Sequence, residues 1–480
     1  MCLLSNAALS DGRADEAPLT LAGAARQAIE SNLDLVTRRR ALDASRAEVG
    51  LARAPLLPQA DLGARAQLLD AERSDDARGN NREESILLAA GLTQVLYDEN
   101  SWAGFTTRKH LYDADLAEFE SARLAVIEET AVAYLELSRA QRRLEIEQNN
   151  RDLTEQNLEK SRARIATGWS SEREVLRWET QLAANDIDVR TAEIRVLQTA
   201  FDLNRIRNRP LDAEVTIAPA TLEDYGFVFA SDEVTSAISD QPARRRLRDY
   251  FVRVGLRRSP DLRALDDSIA GAERQFTASK RVFWLPTLSL GAGVDYLASD
   301  SDDASFNQTE WVVKGLLTYP LARGGGKLAE VDQARAGVGQ QRARRRATSL
   351  SLDQSIRAAF AQATGTFVII EAAHRQEEAG RRNFELVEQS YTLGVASILD
   401  LLDAQSQLLS AELALADATY GFLEDVVAAE RTIAFYPFLE SPEDVDALIT
   451  GLRADLASVP VLAPESDSRQ GEDASSDLSP

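Results

Sequence analysis

The sequence predicts a mainly α-helical chain with a β-barrel portion, built as two tandem repeats that each hold one β-hairpin and one long helical hairpin. Three observations carry this. Landmarks of the first half, Leu57-Pro58, Gly91-Leu92 and Gly168 with Ser171, return about 226 residues later as Leu285-Pro286, Gly315-Leu316 and Gly394 with Ser397. A period of that length marks a duplicated unit of domain size, far above the roughly 20 to 50 residues of solenoid repeats. Stretches without Gly or Pro run longer than the helices of ordinary globular domains, and between them short segments change from a helical period to strict alternation.

In the first repeat, residues 19–54 lack Pro and set Leu21, Ala24, Ala25, Ala28 and Ile29 at helical spacing, with Thr20 as N-cap and Pro55 as the stop. One helix of moderate length is expected. Leu62, Ala64, Ala66 and Leu68 then alternate with Asp61, Gly63, Arg65 and Gln67, and Ile86, Leu88, Ala90 and Leu92 resume the pattern after a polar loop from Asp70 to Glu84. From Phe105 to Thr167 there is neither Gly nor Pro, room for a helix of about 95 Å at ~1.5 Å per residue. Gly168 interrupts it, and Ser170 or Ser171 caps a further unbroken stretch that runs to Arg209 before Pro210. The result is a helical hairpin with its tip at Gly168.

The second repeat rebuilds this with a helix from Phe251 to Arg281 and a strand in which Leu288, Leu290, Ala292, Val294 and Tyr296 alternate with Thr287, Ser289, Gly291, Gly293 and Asp295. Its partner sets Trp311, Val313, Gly315, Leu317 and Tyr319 on one parity, across the polar loop Ser299-Asp300-Ser301-Asp302-Asp303. A second helical hairpin comes next, Lys327 to Tyr391 and Ser397 to Tyr436, with its tip at Gly394. Gly337, Gly339, Gly365 and Gly380 fall inside the long helix, each costing up to about 1 kcal/mol relative to Ala. Either they let helices approach closely or a long rod tolerates them.

Strands of about ten residues with one apolar and one polar face have the length and pattern of transmembrane β-strands, and Tyr296, Trp311 and Tyr319 sit near strand ends, where interfacial aromatics belong. Leu288, Leu290, Val294, Trp311 and Val313 would then face lipid. Four strands cannot close a barrel, and lipid does not tolerate an open sheet edge, so the missing strands must come from other copies in a cyclic oligomer. A soluble hairpin packed on the helices is the competing reading.

Composition narrows the class further. The 480 residues include one Cys, one Met, two His and 6% aromatics, thin material for a large compact core. A net charge of -23 excludes nucleic acid as the expected partner. Catalytic and metal chemistry are not expected, and no cofactor is. His110 and His374 have no ligand-spaced partners, and Gly324-Gly325-Gly326-Lys327 lacks the spacing of a phosphate loop. No apolar stretch reaches the length of a membrane-spanning helix. Residues 1–17, with Cys2 after Met1, read as the end of a secretion signal, as a lipidated N-terminus, or as an ordinary cytosolic start carrying a free thiol. Residues 441–480 read as an acidic disordered tail.

The paired Leu-Pro dipeptides, Gln94-Val95-Leu96-Tyr97-Asp98 at a strand exit and the run from Gly394 through Asp400, Asp403 and Gln405 resemble the TolC-like outer-membrane efflux protein family. The resemblance covers about residues 18–440, with efflux repeats at 18–225 and 246–440 and an equatorial linker at 226–245. It implies a homotrimer in the outer membrane of a Gram-negative bacterium, its twelve strands forming a barrel that continues as a helical tunnel across the periplasm. It also implies a passive exit duct, partnered by a periplasmic adaptor and an inner-membrane pump, for efflux or type I secretion; a soluble coiled-coil scaffold is the alternative. The tips at Gly168 and Gly394 would form the periplasmic mouth. By position Asp400 and Asp403 match the family's pore-ringing aspartates, against the plainer reading of a solvated helix face. Tyr391 and Glu174 match latch positions, while Ala396 stands where the family has arginine, so a differently latched gate is expected.

Overall fold

The computed structural model describes residues 18–68, 84–166, 171–219, 241–298 and 309–457. Helices α1 (Leu21–Ser31) and α2 (Leu33–Arg53) lead to strands β1 (Gln59–Leu68) and β2 (Glu84–Tyr97) and then to the helical hairpin α3 (Glu99–Ala166) and α4 (Glu172–Ile206). The order recurs as α5 (Gln241–Arg258), α6 (Pro260–Arg281), β3 (Thr287–Ala298), β4 (Thr309–Thr318), α7 (Gly326–Thr392) and α8 (Ile398–Thr432), with α9 (Pro442–Ala457) after them. The long helices have 68 and 67 residues, each about 100 Å. Their partners have 35 each. On the barrel side α2 and α6 pack on α3 and α6 also packs on α7; toward the tips α4 and α8 pack on α3 and α8 on α7. No helix among the described residues is long and apolar enough to cross a membrane.

The four strands form one antiparallel sheet in the order β1-β2-β3-β4. Side chains on directly paired residues share a face, so the register tests the alternation. Leu62 pairs with Ala90, Ala90 with Val294 and Val294 with Trp311, while Ala60, Leu92, Ala292 and Val313 make the next row. All four apolar parities therefore fall on one face, where all of these residues but the half-buried Ala292 are exposed. The other face carries Asp61, Arg65, Asp295, Glu310 and Lys314.

Two helices expected to run unbroken, over 19–54 and 251–281, are each split. Asn32 turns extended (φ -60°, ψ 128°), its side-chain Oδ1 accepting from the N–H groups of Asp34 and Leu35 while its side-chain Nδ2 donates to Ile206 O at 3.0 Å. Ser31 donates to Arg207 O at 2.7 Å, so the break satisfies carbonyls at the end of α4 that the helix leaves open. In the second repeat Ser259 caps α6 by accepting from Leu262 N, ahead of Pro260 in the first turn. Gly255, just before that break, lets α5 approach closely: a Cβ there would lie 2.6 Å from Ile356 Cδ1 and 3.1 Å from Thr432 O.

The main core sits at mid-length, where Tyr134 and Leu135 of α3, Phe251 of α5, Ile356 and Phe360 of α7, and Phe422, Leu423 and Val426 of α8 meet Phe435 and Tyr436. The chain leaves both helical hairpins there through left-handed residues at equivalent positions, Asn208 (φ 51°) and Ala434 (φ 53°). The expected acidic tail is corrected over its first part. Residues 442–457 form α9, because Leu448 and Leu452, one turn apart, are buried against α5, and Tyr250 donates to Leu448 O at 2.9 Å. Residues 241–245, expected as linker, are the first turn of α5. Residues 1–17 with Cys2, the rest of that linker and the tail beyond 457 lie outside the described residues.

Candidate functional site at the helical tips

The tip of the second hairpin is built by three local signals. Gly394 takes φ 77°, so its N–H bonds to Tyr391 O at 3.0 Å and that of Val395 to Ser390 O at 2.9 Å, closing the end of α7. Ser397 then starts α8 as half of a capping box: its hydroxyl accepts from Asp400 N, and the Asp400 carboxylate accepts from Ser397 N at 2.8 Å. The Ser397 N–H, together with the Ser397 hydroxyl, which also donates to that carboxylate at 2.8 Å, holds the Asp400 carboxyl below the usual carboxylate range. Asp403 lies on the same exposed side of α8, accepting from Gln407 Nε2 at 2.7 Å.

The opposite side of α8 is buried. Ile398, Leu401, Ala404 and Leu408 pack with Leu158 of α3, Trp178 of α4 and Phe384 and Tyr391 of α7. Trp178 is fully buried at the centre of this satellite core. Trp178→Ala should cost about 3–5 kcal/mol and, because the damage is confined to the tips, should raise amide exchange there while leaving the mid-length core protected.

The two expected latch residues lie on different hairpins, Tyr391 in the last turn of α7 and Glu174 in the first turn of α4. Tyr391 is buried, its hydroxyl without a hydrogen-bond partner among the described residues. Glu174 is half-buried in the first turn of α4, its N–H bonded to Ser171 O at 2.9 Å. Ala396, in the position where the resemblance implies an arginine, packs against the apolar cluster. Gly168 lies outside the described residues.

A second feature escaped sequence reasoning. Asn150, Thr154, Asn157 and Ser161 recur at spacings of four, three and four along α3, a pattern that reads as a solvated stripe, yet all four are buried. Gln405 of α8 donates to Asn150 Oδ1 and Thr154 Oγ1, each at 2.7 Å, and Asn185 of α4 donates to Thr154 Oγ1 at 2.8 Å. This seam ties both shorter helices to α3. Three-four spacing of small polar residues facing Gln405 was the available signal.

Among the described residues the arrangement offers no catalytic constellation; it offers a sheet with an apolar face, two rods and a charged tip. A family model described as outer membrane efflux protein matches residues 24–209 and 253–431. Outer membrane protein TolC of Vibrio cholerae is 25% identical over 389 residues, which cover 79% of this chain and 82% of that protein. Nodulation protein T of Rhizobium leguminosarum bv. trifolii is 24% identical over 313 residues, 64% of this chain and 62% of that protein's own length. Among solved structures, the outer membrane protein VceC from Vibrio cholerae superposes with a TM-score of 0.70 at 16% identity, over 88% of this chain and 97% of that one.

Proposed function

The chain belongs to the outer membrane efflux protein family, and from that premise we propose that it is one subunit of a trimeric outer-membrane channel reaching into the periplasm, a passive exit duct for an efflux or type I secretion system. The observation that carries the reading is the sheet: four strands whose apolar rows share one uncovered face, with β1 and β4 unpaired on their outer edges among the described residues. In water that face would be a large apolar patch and those edges a template for aggregation. In lipid, with β4 of one copy paired to β1 of the next, both are satisfied. Leu288, Leu290, Val294, Trp311 and Val313 then face the acyl chains. A soluble scaffold gives the same face nothing to bury against.

The rods support the same assembly. Ile187, Ile194 and Phe201 stand exposed at seven-residue spacing on α4, and Val368, Ile369 and Leu386 are exposed on α7. In a trimer these exposed residues would be covered by the neighbouring subunits, each repeat (18–225 and 246–440) supplying one barrel hairpin and one tunnel hairpin. The channel does no chemistry; an inner-membrane pump would supply energy through a periplasmic adaptor that docks on the tips.

At the mouth, Asp400 and Asp403 of three copies would place six carboxyl groups around the axis, attracting cations. Asp400→Asn keeps an oxygen for Ser397 N–H, so the double variant with Asp403→Asn should fold and assemble. Its expected result in planar bilayers is weaker cation selectivity and lost block by multivalent cations. Unchanged selectivity and block would remove these residues from the pore.

A further inference from the structure

The last turn of α3 reaches across to the last turn of α7. Arg164 donates from Nη1 to Tyr391 O at 3.3 Å and from Nη2 to Tyr391 O and Thr392 O, each at 3.4 Å. Its guanidinium carbon stands 5.0 Å from the centroid of the Tyr391 ring. One turn back, Lys160 Nζ meets Glu388 Oε1 at 3.0 Å. The two rungs differ in worth. Lys160 and Glu388 are a solvent-exposed pair of small effect. Arg164 places a cation on carbonyls at the negative end of a 67-residue helix and over an aromatic face whose own hydroxyl makes no bond among the described residues.

We propose that Arg164 is the clasp that holds the tip of the second helical hairpin to the first in the closed mouth. The inference rests on the channel reading above. Its logic is positional. Thr392, gripped by Arg164, lies five residues before the Ser397 cap of α8, so the segment carrying Asp400 and Asp403 cannot swing away from the first hairpin while the grip holds. Deeper in, Gln405 binds α8 to α3 through side-chain amide bonds. Arg164 is the outermost tie of the two, the one an opening motion that starts at the tip breaks first. A planar, five-donor guanidinium suits this grip because it stacks and donates together, which an ammonium cannot do.

The test compares purified wild-type, Arg164→Ala and Arg164→Gln trimers in planar bilayers. Arg162→Ala serves as control, because Arg162 pairs with Glu159 and Glu179 of its own hairpin. Removing one grip per subunit, acting three times on one mouth, should raise the open fraction roughly ten-fold at rest, and cells carrying either Arg164 variant should admit a large hydrophilic dye that wild type excludes. Arg162→Ala should behave as wild type. Arg164→Gln keeps hydrogen-bond donors without the cation, and it decides the matter if Arg164→Ala does not assemble. Resting conductance equal to wild type in an assembled Arg164 variant overturns the clasp, as does an equal rise in Arg162→Ala. If wild type itself inserts no channel, the channel reading fails and not the clasp alone.

Discussion

Arg274→Leu should lower the stability of the assembled protein by about 3–5 kcal/mol, the cost of leaving a buried charge without its partner. Glu99, 4% exposed in the first turn of α3, accepts from Arg274 at 2.7 Å and from the Tyr97 hydroxyl at 2.8 Å, with Arg281 at 3.6 Å. Beside it Asp98 accepts from Ser101 N at 3.0 Å and from the Thr287 hydroxyl at 3.3 Å. These bonds join the strand exit of the first repeat to α6 and β3 of the second, at the point where sheet gives way to helix. The second repeat has Gly324-Gly325-Gly326 at the equivalent point, with no carboxylate among them to make such ties. The measurement is the temperature at which detergent-solubilised trimer dissociates. Adding Glu99→Gln to Arg274→Leu should recover part of the loss, since the stranded charge is gone. A single variant as stable as wild type would show that Arg281 and water suffice.

Glu430→Gln should stabilise the protein, by an amount that grows as pH rises above about 4. Glu430 is wholly buried, and neither carboxylate oxygen has a partner among the described residues. Its repeat mate Asn204 sits in the same place before the left-handed turn and donates to Leu211 O and Ala213 O at 3.0 and 2.8 Å. A carboxylate cannot donate. Burial pushes the Glu430 carboxyl well above its ordinary range. The folded state therefore holds a proton that the unfolded chain releases near pH ~4.3. Its contribution is accordingly fully favourable below about that pH and is lost as pH rises toward the folded pKa. Glu128, raised by burial and 3.8 Å from Arg431, titrates nearby with the same sign, and burial also raises the Tyr436 hydroxyl. The difference between variant and wild type isolates Glu430. A gain of roughly 1–3 kcal/mol is expected at about pH 8, fading to none near pH ~4. Equal gains at both pH values would mean that packing, not the proton, is responsible.

What the sequence made visible was periodic. Alternation over ten residues assigned the strand faces, and the register then set Leu62, Ala90, Val294 and Trp311 in one row. Freedom from Gly and Pro gave the rod of the first repeat within a few residues, and the second rod runs through its four glycines. What stayed hidden depended on a partner far along the chain. Asn32 inside a helical pattern looks like an interior residue until Ile206 O is found beside it. Leu448 and Leu452 are two residues in an acidic stretch until α5 covers them. Asn150 and Thr154 look solvated until Gln405, 255 and 251 residues on, reaches them. At the tip, Ser397 and Asp400 did carry a local signature, that of a helix cap, and the Asp400 carboxylate is engaged by the backbone of its own turn.

The near-identity of the two helical hairpins also limits how the protein can change size. Their long arms differ by one residue and their short arms by none. Two added turns, about seven residues, in the arms of one hairpin alone would push its tip about 10 Å beyond the other, separating Arg164 from Thr392 and Gln405 from Asn150. A change of length that keeps these ties must therefore be made in all four arms at once. Reach is a property this chain can alter only in concert.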